Sequence, residues 1–304
     1  MIVSPWGPLR VADAHVHFFS HGFFSLLAKQ KTGLTVEGIG SAVGWQMPAH
    51  EPELLARHWV EELDKQGVDR AVLIASLPGD ENSVASAVAA FPKRFYGYFM
   101  VNPLAQDAVA RAQSALDRGM HGVCFFPAMH RYHMHDDAAM AVIDVIAATR
   151  PSALVFVHCG VLSVGVRDKL GLSSPFDMRN SNPIDLHGVA LRYPNLRFVI
   201  PHFGAGYFRE ALMVCDLCPN VFLDTSSSNR WIHYEGLDLR TVFRRTIDLI
   251  GHRRLLFGTD SSFFPRGWHA AIFDAQAKAL YELGLSAEQA SLVFGENLRA
   301  LCGV

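Results

Sequence analysis

Asp13-Ala14-His15-Val16-His17 places a carboxylate and two imidazoles at alternate positions of a short apolar run that begins near Val11. Side chains alternate between the faces of a strand, so Asp13, His15 and His17 are expected to point one way and Ala14 and Val16 the other. Two imidazoles on one face can share a metal ion. Three later runs end in residues of the same kind: Phe156-Val157-His158-Cys159, Ile200-Pro201-His202-Phe203-Gly204 and Gly258-Thr259-Asp260. Three imidazoles and a carboxylate suit one divalent ion, Zn²⁺ first and Mn²⁺ as the alternative, with a position left open for water.

For these residues to meet, their strands must end on one rim. Short β-branched or aromatic runs recur at 11–17, 70–76, 95–102, 122–128, 154–159, 197–203, 221–226 and 255–260, each followed by a longer stretch with helical spacing. Most runs are apolar almost throughout, as parallel strands buried on both faces require. Eight such units predict a closed (β/α)8 TIM barrel, whose strand ends converge at the C-terminal face. An open doubly wound sheet would carry a Gly-rich phosphate loop after its first strand, and His17-Phe18-Phe19-Ser20 is nothing like one.

Helices are expected over 53–66, with Leu54, Leu55, Trp59 and Leu63 on the packing side, and over 107–118, 136–149, 269–283 and 287–301, the last with Ser286 as N-cap. Two long segments follow strands one and five: 18–52, rich in Gly and carrying Phe23, Phe24, Trp45 and Met47, and 160–182. Both are expected to be rim loops beside an active site and are candidate lids, the first as an insertion in the domain. No repeat or linker divides the chain, so residues 1–304 are expected to form one domain.

Half of the 304 residues are hydrophobic and 18% are charged, with a formal charge of −2, which suits a compact core rather than disordered tails. Mixed charges leave no footprint for nucleic acid or an anionic membrane surface, and a small-molecule substrate is the better expectation. No stretch is long and apolar enough to span a bilayer. The five cysteines read as free thiols in a reducing compartment, so a cytoplasmic location is expected. Cys215 and Cys218 form a C-x-x-C without the second ligand pair of a structural zinc site.

Taken together, the motifs at 13–17, 157–160, 201–204 and 258–260 resemble the strand-end signature of the amidohydrolase superfamily, and most nearly its amidohydrolase-2 branch, which includes aminocarboxymuconate semialdehyde decarboxylase. The resemblance extends from Val11 to the terminal Gly295-Glu296-Asn297-Leu298-Arg299-Ala300-Leu301. It implies a distorted barrel, a metal held by His15, His17, His158 and Asp260, a catalytic His202, and a homodimer. Many binuclear members carry a metal-bridging lysine on strand four. Here that run reads Gly122-Val123-Cys124-Phe125-Phe126-Pro127, so a mononuclear site is expected. Cys124 reads as buried core rather than a ligand.

A single metal lowers the pKa of bound water, Asp260 is placed to take the proton, and His202 to polarise substrate or shuttle a proton. Arg230 and Arg266 are candidate clamps for a substrate carboxylate, as are Arg167 and Arg179, since a guanidinium matches a carboxylate in shape. His130, with His133 and His135 nearby, is a candidate substrate contact, and Trp45 a candidate pocket wall with Phe18, Phe19, Phe24, Trp231 and Trp268. Asp13 and Asp224 are candidates to support the metal ligands. The expected activity is hydrolysis of an ester, lactone or amide of a small cyclic or carboxylated molecule by metal-bound hydroxide. The alternative is a metal-dependent, non-oxidative decarboxylase of an aromatic or unsaturated acid.

Overall fold

The computed structural model describes residues 1–226 and 230–303, without the Arg230 side chain. A hairpin of β1 (Ile2–Ser4) and β2 (Gly7–Leu9) precedes eight parallel strands: β3 (Ala12–His17), β4 (Arg70–Ala75), β5 (Phe95–Val101), β6 (Gly122–Phe125), β7 (Leu154–Val157), β8 (Arg197–Ile200), β9 (Val221–Asp224) and β10 (Leu255–Leu256). Each pairs with the next in sequence order. Closure comes just beyond β10: Val16 bridges Ser261 in parallel, Ala14 N donates to Phe257 O (2.8 Å) and His17 N to Ser261 O (2.7 Å). The molecule is a TIM barrel with a strand in each of the eight runs that hydrophobic patterning marks, but the runs at 122–128, 197–203 and 255–260 extend past their strands, which end at Phe125, Ile200 and Leu256 where the chain turns to build the rim.

Strand side chains sort into two cores by alternation. Leu73, Val123, Val155 and Leu223 face the surrounding helices, while Val72, Ile74, Tyr98, Met100, Cys124 and Phe156 fill the barrel interior. In β3 the alternation breaks. Ala12 and Ala14 belong to the interior, but Val11 and Val16 belong to the outer core, and the pairing with β4 shifts register between Asp13 and Val16. This irregularity overturns one expectation: Asp13 does not share a face with the two histidines. Its carboxylate bonds outward to Trp268 Nε1 (2.7 Å), leaving His15 and His17 turned to the mouth.

The helix Pro52–Gln66 buries Leu55, Trp59 and Leu63 and ends at Gly67, but Leu54 is exposed. The expected final helix is broken into Ala287–Ser291, a π-turn at Leu292–Glu296 and Asn297–Cys302. The widened turn turns the Val293 carbonyl toward Phe257 N (3.1 Å), tying the chain end to the closing strand. Ser286 caps the first piece in a reciprocal capping box with Gln289.

Residues 18–52 are not an irregular loop. Ser20 and Thr35 cap helices His21–Ala28 and Val36–Val43, and Phe23, Phe24, Leu27, Ile39 and Val43 pack with Val166, Leu170 and Leu172 of the 160–182 segment. These two segments therefore share a small core of their own. Among the described residues, no helix is long and apolar enough to cross a membrane.

Candidate metal centre and active site

Nε2 of His15, Nε2 of His17 and Oδ1 of Asp260 gather at the C-terminal end of the barrel, with donor atoms of the three residues all within 4.8 Å of one another. The two Nε2 atoms are 3.4 Å apart, and Asp260 Oδ1 lies 3.0 Å from His17 and 3.7 Å from His15. What aims both Nε2 atoms at one point is the bond made by each ring's other nitrogen. His15 Nδ1 donates to Asp224 Oδ2 (2.7 Å), and His17 Nδ1 meets Ser76 Oγ (2.6 Å). Both rings thus offer Nε2 lone pairs to the same spot. His15 is 1% accessible, whereas His17 and Asp260 keep 20% and 24%, so the group opens toward the mouth rather than into the core.

His202 and His158 stand beside this group. The His202 ring is 5.0 Å from His15 and 5.3 Å from His158, and its Nδ1 donates to the Ser226 carbonyl (2.8 Å), which leaves Nε2 as the free acceptor. His158 is not one of the three closely spaced donors. It is buried, stacks on Phe126 at 5.1 Å, and its Nδ1 has no hydrogen-bond partner among the described residues. Burial pushes the His158 ring well below the usual histidine range, and His202 and His15 add to this. His202 is lowered by the same two causes, burial and the neighbouring His15. Burial also opposes charge on His15, but the Asp224 carboxylate outweighs it and the net shift is upward. For Asp260, burial favours the neutral acid, yet His17, with His15 and His202 behind it, holds the carboxyl well below the usual range.

The backbone beneath the site is strained where the candidate functional side chains sit. His202 (φ 55°) and Asp260 (φ 59°), with the neighbours Phe203 (φ 52°) and Ala205 (φ 43°), occupy the left-handed region that non-glycine residues avoid. Asp13 helps hold Asp260 there: its carboxylate accepts from His15 N, Thr259 N and Thr259 Oγ1 (2.9, 3.1 and 2.5 Å). Two glycines make room. A Cβ on Gly258 would come within 3 Å of Asp224 Oδ1, Ser226 Cβ and His15 Cβ, and one on Gly160 would strike the carbonyls of Gly204 and Ala205 beside His202.

The remaining residues distribute differently. Arg266 is exposed, donates to Asp260 O (3.2 Å) and Ser262 Oγ (3.0 Å), and lies 4.5 Å over the Phe263 ring. Trp45 stacks on Phe263 (4.2 Å) and on Phe19 (5.8 Å), and Phe19 stacks on His17 (5.6 Å), so an aromatic column runs from the rim to a candidate metal ligand. His130 Nδ1 is buried without a partner among the described residues, and burial lowers its pKa to about 4. The Arg230 side chain lies outside the described residues. Arg167 bonds Ser173, Ser174 and Gln30, and Arg179 pairs with Asp177 (2.6 Å). Cys124 is fully buried in the barrel interior, and Trp268 supports Asp13 rather than walling a pocket. Ser76 and Ser226 escaped the sequence reading, because a single serine carries no spacing signal.

A family model described as Amidohydrolase matches residues 12–303. The chain belongs to the amidohydrolase family. A stretch of this amidohydrolase is 30% identical over 124 residues to Protein fluG of Emericella nidulans, covering 41% of this chain and only 13% of that protein. Its fold is similar to 5-carboxyvanillate decarboxylase LigW from Sphingomonas paucimobilis (15% identity, TM-score 0.66, 98% of this chain and 100% of that one). It is also similar to a protein of Acinetobacter baumannii described as a probable 2-pyrone-4,6-dicarboxylic acid hydrolase, solved with citric acid bound (14%, 0.61, 97% and 100%). A third similar structure is an amidohydrolase from Burkholderia multivorans with bound zinc (16%, 0.62, 97% and 99%).

The donor set of this amidohydrolase fits a single divalent ion. Two imidazole nitrogens, each ring oriented by a bond at its other nitrogen, and a carboxylate oxygen match the preference of zinc-like ions, and the 24% accessible Asp260 leaves an open side. The β6 run Gly122–Phe125 carries no lysine that could bridge a second ion.

Proposed function

We propose that this amidohydrolase is a mononuclear metal-dependent hydrolase that adds water to an ester, lactone or amide of a small cyclic or carboxylated molecule. The observation that carries the reading is the placement of Asp260: an ionised carboxylate 3.0 Å from His17 Nε2, facing the mouth, at a strained backbone position. A bound Zn²⁺ or Mn²⁺ supplies acidified water and polarisation of a substrate oxygen. His15, His17 and Asp260 hold the ion, with His158, whose Nδ1 has no partner among the described residues, as the further imidazole to extend the set.

Asp260 takes the proton of the attacking water and delivers it to the leaving group. Its low pKa keeps it in the accepting form across the neutral range. His202 remains neutral, with Nδ1–H fixed on Ser226 O, so Nε2 is the atom that receives or relays a proton as charge develops on substrate. Arg266 and Arg230 are the cations proposed to meet a substrate carboxylate, and Trp45 and His130 to contact its body. The citric acid bound to the similar Acinetobacter protein supports a carboxylated ligand.

Likeness to 5-carboxyvanillate decarboxylase supports a second reading, in which the same residues assist protonation of an aromatic acid before carbon dioxide leaves. Incubating metal-loaded protein with lactones, esters, amides and aromatic acids in ¹⁸O-water separates the two. Hydrolysis puts the label into a newly formed carboxylate. Carbon dioxide released from an acid without label incorporation contradicts the hydrolase and installs the lyase.

A further inference from the structure

Among the described residues, one other group of ligating side chains converges. Donor atoms of His133, His135 and Asp185 lie within 4.8 Å of one another, and none of the three belongs to the His15, His17 and Asp260 group. We propose that His133, His135 and Asp185 form a second, independent and solvent-open site for Zn²⁺ or a similar borderline cation such as Ni²⁺ or Cu²⁺.

Local structure holds the three in place before any ion arrives. Met134, between the histidines, is 1% accessible and anchored in the outer core, so both flanking side chains are left at the surface. The turn is closed by His133 N donating to Asp136 Oδ2 (2.8 Å) and Asp136 N donating to His133 O (3.0 Å). The two rings stand side by side, centroids 5.2 Å apart and planes 24° from parallel. Asp185 comes from the first turn of the helix Ile184–Arg192, whose start is fixed by Asn182: its Oδ1 accepts from Ile184 N (3.0 Å) and its carbonyl from Asp185 N (3.1 Å). Asp185 Oδ2 then sits 2.5 Å from His133 Nδ1.

The donor types select the ligand. Two imidazoles and one carboxylate suit zinc-like cations, whereas Mg²⁺ and Ca²⁺ demand mostly oxygen. Three protein donors leave a coordination position for water or an outside ligand. The plainer account is an isolated surface ion pair of His133 with Asp185, worth little by itself, with His135 a bystander. The two accounts differ on His135: only a metal site needs it. An ion here would brace the segment after β6, which includes the helix Pro127–His130, against the helix that follows β7, two neighbouring stretches of the rim.

The test is zinc titration of chelator-stripped protein against a chromophoric competitor, for the native sequence, H135A, D185N and H17A. His135 is exposed, so H135A keeps the fold. The native sequence is expected to take up two equivalents; H135A and D185N each weaken one of them about tenfold or more, and H17A weakens the other. Zinc is also expected to raise the melting temperature of H17A, but not of H17A/H135A. Native-like stoichiometry and affinity in both H135A and D185N, or a single equivalent in the native sequence that H17A removes, overturns the site. Loss of zinc by H135A with no loss by H17A would instead contradict the barrel-mouth reading and leave this one standing.

Discussion

His15 Nδ1 and Asp224 Oδ2 lie 2.7 Å apart, each side chain only 1% accessible, one at the start of the barrel and the other at the end of β9. The pair fixes which nitrogen of His15 faces the mouth. Asp224 is anchored in turn, its Oδ1 accepting from Ser226 N (2.6 Å), and Ser226 Oγ reaches both His15 Nδ1 (2.9 Å) and His202 Nδ1 (3.2 Å). One carboxylate and one serine therefore orient both the proposed metal ligand His15 and the proposed proton carrier His202.

Asp224→Asn is expected to weaken metal binding at the mouth by about 10- to 100-fold, because the amide cannot hold His15 in the same tautomer with the same strength. Competition with a graded series of chelators measures this directly. Ser76→Ala, which removes the 2.6 Å partner of His17, is expected to weaken it less, since a neutral acceptor is lost rather than an ionised one. Unchanged affinity in D224N would contradict the orienting role.

Asp80 gives a pH signature. Its buried carboxylate accepts Ser20 Oγ (2.7 and 2.8 Å) and Ser83 Oγ (2.6 Å), and Ser20 caps the helix His21–Ala28. Burial raises its pKa from 3.8 to about 6 despite these bonds. The folded state therefore takes up a proton as pH falls through about 6, while the unfolded chain waits until near 3.8. This group adds stability as pH falls, and loses that contribution as pH rises through 6. Relative to Asp80→Asn, the native sequence should gain up to about 3 kcal/mol between pH 7 and pH 4 in urea melts. A difference that is flat with pH, or of opposite sign, contradicts the assignment.

Trp45→Ala removes the middle ring of the column between Phe263 and Phe19, two stacked pairs worth about 0.5 to 1.5 kcal/mol each. The small core of residues 18–52 should loosen locally while the barrel stays intact. Limited proteolysis is expected to cut within residues 29–50 faster than in the native sequence, with Trp45→Phe close to native. Equal cutting rates in both would show that the column does not hold the segment.

Much of this was readable from residue patterns, for a physical reason. Runs such as Arg70–Ala75 and Phe95–Val101 are buried on both faces, so β-branched and aromatic density marks them plainly. His158, His202 and Asp260 each follow the last paired residue of a strand by one to four positions, which is why chemistry-bearing residues at run ends pointed to one rim. The helix Val36–Val43 was hidden by Gly38 and Gly40, whose low helix propensity is overridden by the Thr35 cap and by burial of Ile39 and Val43. The register shift in β3 was hidden too, since strict alternation puts Asp13 beside His15, and only pairing with β4 reveals that it turns away.

The central claim is that His15, His17 and Asp260 together hold one divalent ion at the barrel mouth. Anomalous diffraction at the zinc or manganese edge, from crystals of metal-loaded protein, tests it most directly. The account predicts a single peak within coordination distance of His15 Nε2, His17 Nε2 and Asp260 Oδ1. No peak at that position in active, metal-loaded protein, or a bridged pair of peaks there, would contradict it.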